Sequence, residues 1–231
     1  MGMITSAFKL RERLMAVHTR DREWIQGNAI FECIALRDTR EGVSISTAEH
    51  SVLVAYISYL IAQQYCSSQS DVDRYFLSGL LHDVGKLNMA DRILKSSEQM
   101  SQEDKETLPA HVIHGVNMLR QLGFGDDVVS YCLFHHEKLD GSGYPRGCKG
   151  AEVPLIGRIA AVADVFGAMC YPRRYRPGGF GIPVIFSYLR EEEGRFDQDV
   201  VSVLELVSSQ WLADTSELSF YKFAKIGKGA V

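Results

Sequence analysis

The sequence has no CxxC pair. Its five cysteines, Cys33, Cys66, Cys132, Cys148 and Cys170, are odd in number and scattered. That excludes a disulfide framework and predicts reduced, buried thiols. There is no basic excess either. A net charge of -4 and a pI near 6.0 argue against general nucleic-acid binding. No apolar run is long enough to span a bilayer, since Arg158 and Asp164 interrupt the best one. The first residues lack the charged-then-apolar order of a signal peptide. Strand patterns are sparse throughout. These absences predict a cytoplasmic, all-α protein, and 231 residues at 46% hydrophobic can bury one good core.

Helical patterns fill most of the chain. Phe8, Leu10, Leu14, Met15 and Val17 predict a short amphipathic helix, and Trp24 to Leu36 a second. His18 lies among polar neighbours and reads as a surface residue. Ser46 and Glu49 form a capping box that opens a helix with Val52, Leu53, Tyr56, Ile57, Leu60 and Ile61 on one side. Asp71 to Leu81 is the next helix. Ser101 caps a segment through Leu108, Pro109 breaks it, and Ala110 to Leu122 follows, ending at Gly123. Asp126 reads as a cap, and Pro154 as the first position of a helix through Met169. Pro183 to Leu189 and Asp197 to Leu212 complete the set.

The reactive side chains cluster at the ends of these helices. His50 lies in the first turns of its helix and, taken alone, reads as a buried or capping histidine. His82-Asp83 offers a neutral nitrogen and an anionic oxygen from adjacent positions. Gly85 then allows a tight exit, and Lys86 returns a positive charge. His111 and His114 share a helix face, and one of the two is the expected ligand. His135-His136 end an apolar run and lead through Glu137 into a loop with Gly141, Gly143 and Gly147. Asp164 stands inside an apolar helix face, where a carboxylate costs several kcal/mol unless paired or bound to a cation. Arg173, Arg174 and Arg176, with Tyr175, read as a solvated basic turn or a phosphate clamp.

In this order the strings EHS (Glu49 to Ser51), HDVGK (His82 to Lys86), HVIHG (His111 to Gly115), HHEKLDGSGYP (His135 to Pro145) and IGRIAAVADVFGAM (Ile156 to Met169) resemble the HD-GYP family. That family is the phosphodiesterase branch of the HD superfamily of metal-dependent phosphohydrolases. The resemblance runs from about Ser44 to Val207. It implies a single helical HD domain that hydrolyses cyclic di-GMP to linear pGpG, and in some members on to GMP, by a metal-bridging hydroxide at a binuclear site. A cyclic GMP-AMP dinucleotide is the alternative substrate, and a weakly active sensor or docking module the alternative role.

By the same resemblance His50, His82, Asp83 and Asp164 hold one metal, and Asp83 bridges to a second completed by His111, His135 and His136. The all-nitrogen and oxygen ligand set suits two ions of iron or manganese. Asp83 and Lys86 carry the chemistry, with Lys86 at the scissile phosphate. Gly141 to Tyr144 border the substrate or a protein partner such as a diguanylate cyclase, and Arg173, Tyr175 and Arg176 lie near the nucleotide. His114 has no family counterpart.

Three departures stand out. Ser46 replaces a glutamate that supports a third metal in some members, so two metals are expected. Gly167 replaces an aspartate, and Arg174 a proline. The expected organisation is an N-terminal helical segment (1–42) without an assigned role, a catalytic domain (43–215) and a tail (216–231).

Overall fold

A computed structural model describes residues 2–41, 47–89, 106–170, 179–191 and 194–214. Among them are nine α-helices: α1 (Gly2–Val17), α2 (Arg22–Glu41), α3 (Thr47–Ala62), α4 (Gln69–Leu81), α5 (Ala110–Leu122), α6 (Asp126–Phe134), α7 (Leu155–Cys170), α8 (Ile182–Glu191) and α9 (Gln198–Asp214). Short 3-10 turns cover Val84–Asn88 and Gly150–Glu152. No strand forms among the described residues beyond one isolated bridge, Asp140 to Lys149. The all-α expectation is borne out.

The centre is α3, packed between α4 and α7. Val52, Leu53, Val54, Ala55 and Ile57 are all buried, so the helix is covered on every side rather than on one. A helix that is apolar all round belongs inside a core. One hydrophobic cluster gathers Trp24, Phe31, Phe76, Leu77, Leu80 and Leu119; the other gathers Tyr131, Ile159, Phe166, Ile185 and Leu204. Met3, Ala7, Leu10 and Leu14 of α1 are buried in these same two clusters.

Several local readings shift. Gly125, not Asp126, takes the cap position of α6, and both Asp126 and Asp127 fall in the first turn, where their charge suits the helix N-terminus. α7 starts at Leu155, one residue after Pro154. The caps read at Ser46 and Ser101 lie outside the described residues. His18 is only partly exposed, not a free surface residue. Its ring stacks on Trp24 with centroids 4.4 Å apart, and Nε2 lies 2.9 Å from Asp73 Oδ2. The thiols are only partly buried: Cys132 and Cys170 are, but Cys33 faces outward from α2. No disulfide forms.

Arg74 ties three helices together. Its guanidinium donates two bonds of 2.6 Å to Asp127 on α6 and lies 2.8 Å from Glu23 on α2. Burial pushes the Asp127 carboxyl up, but Arg74 outweighs it and holds the group below its usual 3.8. A carboxyl depressed in this way stabilises the fold above its unfolded pKa and loses that contribution as pH falls through the folded value. Asp127→Asn is expected to cost about 1 kcal/mol at neutral pH, since the side chain is 36% exposed and screened by solvent. The gap between the two proteins in urea melts should narrow as the pH falls below about 4.

Candidate metal centre

Five of the seven histidines converge with two aspartates at one buried point. They come from five helices or helix ends. His50 lies in the first turn of α3, and His82 caps the end of α4 with Asp83 next to it. His111 is the second residue of α5, His135 caps α6 with His136 following, and Asp164 is in the middle of α7.

Asp83 sits between two sets of imidazoles. Its Oδ2 lies 3.3 Å from His82 Nε2 and 4.0 Å from His50 Nε2. Its Oδ1 lies 3.4 Å from His111 Nε2 and 3.8 Å from His135 Nε2. Asp164 reaches both sets, with Oδ1 3.0 Å from His50 Nε2 and Oδ2 3.4 Å from His136 Nδ1. His50, His82 and Asp164 form one group of potential ligand atoms; His111, His135 and His136 form another.

The backbone fixes how three of these rings point. Nδ1 of His82, His111 and His135 bonds the carbonyl three residues back, Gly79, Leu108 and Cys132, at 2.6–2.7 Å. A carbonyl only accepts, so each Nδ1 carries the proton and, in the neutral ring, each Nε2 turns a lone pair inward. His111 Nε2 and His135 Nε2 face each other at 3.3 Å. Two facing lone pairs repel, and a cation between the imidazoles relieves that repulsion. His82 Nε2 and Asp83 Oδ1 are buried and make no hydrogen bond. These unsatisfied, inward-facing donors fit a metal, and the backbone bonds behind them are the usual support for ligating imidazoles.

The protonation states agree. Burial pushes His135 well below the ordinary imidazole value, with His136 and His82 adding to it, and His136 is pushed down to about 3. Burial also lowers His50 and His111. Burial would lower His82 too, but Asp83 raises it on balance. Burial would raise both carboxyls. Lys86 and His82 hold Asp83 well below its usual range, and His50 and His136 do the same for Asp164. At neutral pH the pocket therefore offers two anionic carboxylates and mostly neutral imidazoles.

Lys86 Nζ donates to Asp83 Oδ2 from the 3-10 turn that follows it. Tyr144 lies against the centre, its ring 4.6 Å from His136 and 6.5 Å from His111. Gly141 sits at φ +83 in the same loop. His114 is exposed and belongs to none of the potential ligand groups among the described residues. Arg173, Tyr175 and Arg176 lie outside the described residues.

Glu137 went unassigned from the sequence. It is 1% exposed, and its carboxylate accepts the backbone N–H groups of Arg146 at 2.6 Å and Cys148 at 3.0 Å. It thus ties down the far end of the loop that carries Tyr144. Gly143 completes the fold-back, because a Cβ there would stand 2.4 Å from Lys138 N and 2.5 Å from Glu137 Cα. The sequence signal was a carboxylate directly after two histidines, yet its partners lie 9 and 11 residues ahead. Glu137→Ala is expected to speed amide exchange across residues 138–148 by about tenfold, from the loss of two charge-assisted bonds. Exchange in α6 should stay unchanged.

A helical domain whose helix ends deliver imidazoles and carboxylates to one buried point defines a metal-site protein of the helical class. The chain belongs to the HD domain family, whose family model matches residues 34–200. A 3'3'-cGAMP-specific phosphodiesterase of Vibrio cholerae is 35% identical over 71% of this chain and 38% of its own length. A cyclic di-GMP phosphodiesterase of Pseudomonas aeruginosa is 33% identical over 75% of this chain and 41% of its own length. The chain thus spans about two fifths of the length of these curated relatives. The solved structure of an HDG"Y"P protein from Bdellovibrio bacteriovorus superposes with a TM-score of 0.61 at 16% identity, covering 88% of this chain and 70% of that one. That match speaks for the fold. The HD-GYP resemblance read from the motifs is borne out by these relatives. Among the described residues no helix is long and apolar enough to cross a membrane.

Proposed function

We propose that the chain is a metal-dependent phosphodiesterase that opens cyclic di-GMP to linear pGpG, and onward to GMP where the linear product rebinds. The observation that carries this reading is Asp83, a buried carboxylate with one oxygen toward His82 and His50 and the other toward His111 and His135. In this reading His50, His82, Asp83 and Asp164 hold one ion. Asp83 is shared with a second ion, held by His111, His135 and His136. Iron or manganese suits these nitrogen and oxygen donors. When bound, such a pair lowers the pKa of a water and offsets charge on a phosphoryl group.

The chain's own residues supply the rest. Lys86 places an ammonium beside Asp83, where it stabilises a phosphoryl oxygen that gains charge. Tyr144 walls the centre at His136 and offers a base an aromatic face. Asp83 and Asp164 stay anionic, so the ions do not compete with protons there. The catalytic unit is residues 43–215, acting in the cytoplasm. Gly141 to Tyr144 would border the substrate or a docked protein partner such as a diguanylate cyclase.

A second substrate has a specific observation behind it: curated relatives at similar identity are named for 3'3'-cGAMP. The test is a product assay. The protein, purified without oxygen and loaded with Fe(II) or Mn(II), is given each dinucleotide in turn. Linear product that forms with metal and disappears with chelator supports the reading, and the faster substrate assigns it. No turnover of either by protein carrying two metals per chain overturns it in favour of a sensor.

A further inference from the structure

Two adjacent side chains near the end of α2 hold two of the backbone segments that supply the metal centre. The Arg37 guanidinium donates from Nη1 to the Lys86 carbonyl and from Nη2 to the Met89 carbonyl at 2.8 Å. Those carbonyls lie at the end of the 3-10 turn that begins right after Asp83 and carries Lys86. A planar guanidinium suits two such acceptors at fixed spacing, and its charge suits the carbonyl end of a helical turn. Asp38, the next residue, accepts the Ala48 N–H at 2.8 Å. Ala48 is the second residue of α3, two before His50.

The two grips differ in sign, as the backbone ends they meet require. A cation meets carbonyls at the end of one helical turn, and an anion meets an amide at the start of a helix. Neither bond is local in sequence: Arg37 reaches 49 and 52 residues ahead and Asp38 reaches 10. α2 itself is set into the core by Trp24, Phe31 and Ile34, each buried. From Arg22 to Arg37 the helix spans about 23 Å, so a shift of its far end reaches this point as a rigid displacement.

We propose that Arg37 and Asp38 are positioning residues that set Lys86 and His50 relative to one another, and that α1 and α2 thereby bias the activity of the centre. This gives residues 2–41 a role: they hold the catalytic turn in register. Neither residue touches the metal-ligand atoms, so each acts through the backbone it grips. The kinetic part of the inference rests on the hydrolase reading above; the positional part does not.

The test uses the full chain loaded with Mn(II). Arg37→Ala should lower kcat by about tenfold with KM changed by less than about twofold and metal content unchanged, the signature of a displaced charge rather than lost binding. Arg37→Lys, which keeps the charge but only one bond, should recover part of that loss. Independently of turnover, hydrogen exchange at the 84–89 amides should rise about tenfold in Arg37→Ala while α6 and α7 keep their protection. Asp38→Ala should do the same at the start of α3. Because both residues act on one centre, the double variant should lose less than the product of the single losses. Unchanged exchange at 84–89 together with wild-type kcat overturns the proposal. So does a uniform loss of protection in which Arg37→Lys fares no better than Arg37→Ala. If the wild-type chain hydrolyses neither dinucleotide, the hydrolase reading falls while the exchange pattern still decides the positional claim.

Discussion

On the phosphodiesterase reading proposed above, Asp83→Asn should leave a folded protein that holds less metal and turns over little cyclic dinucleotide. The substitution keeps the size of the side chain and removes its charge. Asp83 is 1% exposed and has Lys86, His82, His111 and His135 around it. An amide offers one oxygen acceptor and turns an NH2 donor toward the other set of groups. It can therefore serve one set of imidazoles and not both. Lys86 also loses the anion it now pairs with, so its ammonium is no longer held at this point. Metal content should fall below half of the wild-type value, and kcat by about a thousandfold or more, the usual scale for removing a central electrostatic partner. Elemental analysis and the chromatographic product assay read the two effects separately. A variant that keeps turnover near the wild-type rate would place the chemistry elsewhere.

Gly85→Ala should have the second large effect, on folding rather than on charge. A Cβ at this position would stand 1.8 Å from the His111 carbonyl oxygen and 2.5 Å from the Gly115 nitrogen. Both are backbone atoms of α5, so no side chain can rotate away. The 3-10 turn and α5 would have to separate, although Val84, Val112 and Val116 are packed there with little or no exposure. A loss of about 3 kcal/mol or more in urea unfolding is expected, at the upper end of overpacking costs. The same separation would pull His111 from Asp83, so metal binding should weaken in whatever fraction still folds. An alanine variant as stable as wild type would show that the turn tolerates a wider spacing.

These two positions also show what the sequence could carry. Asp83 was legible because its place follows from residue type and an immediate neighbour, an acid beside a histidine. Gly85 read only as a tight exit, whereas the contact that requires a glycine is with the backbone of α5, 26 and 30 residues ahead. The helices α5 and α7 were legible to within a residue from periodicity and breakers. Position across the fold was not. His18 read as exposed because its partner Asp73 is 55 residues away, on a helix whose proximity no local pattern encodes. Glu137 had no assigned role because its partners are backbone amides, which every residue possesses and no motif can mark. Arg37 and Asp38 escaped for the same reason. α3 read as one-sided because composition shows which residues are apolar, not how many neighbours will cover them.

The carbonyls that hold His82, His111 and His135 each lie only three residues earlier in the chain. The aim of those rings is therefore written into single turns of helix, and no distant side chain has to be kept for it. The bearing of these three rings is separable from the loop beside them. The loop bearing Tyr144 can be exchanged, lengthened or given new polar groups while three inward nitrogens keep their bearing. A lineage built on this plan can explore new substrates one loop at a time, without first rebuilding the place that could hold a metal.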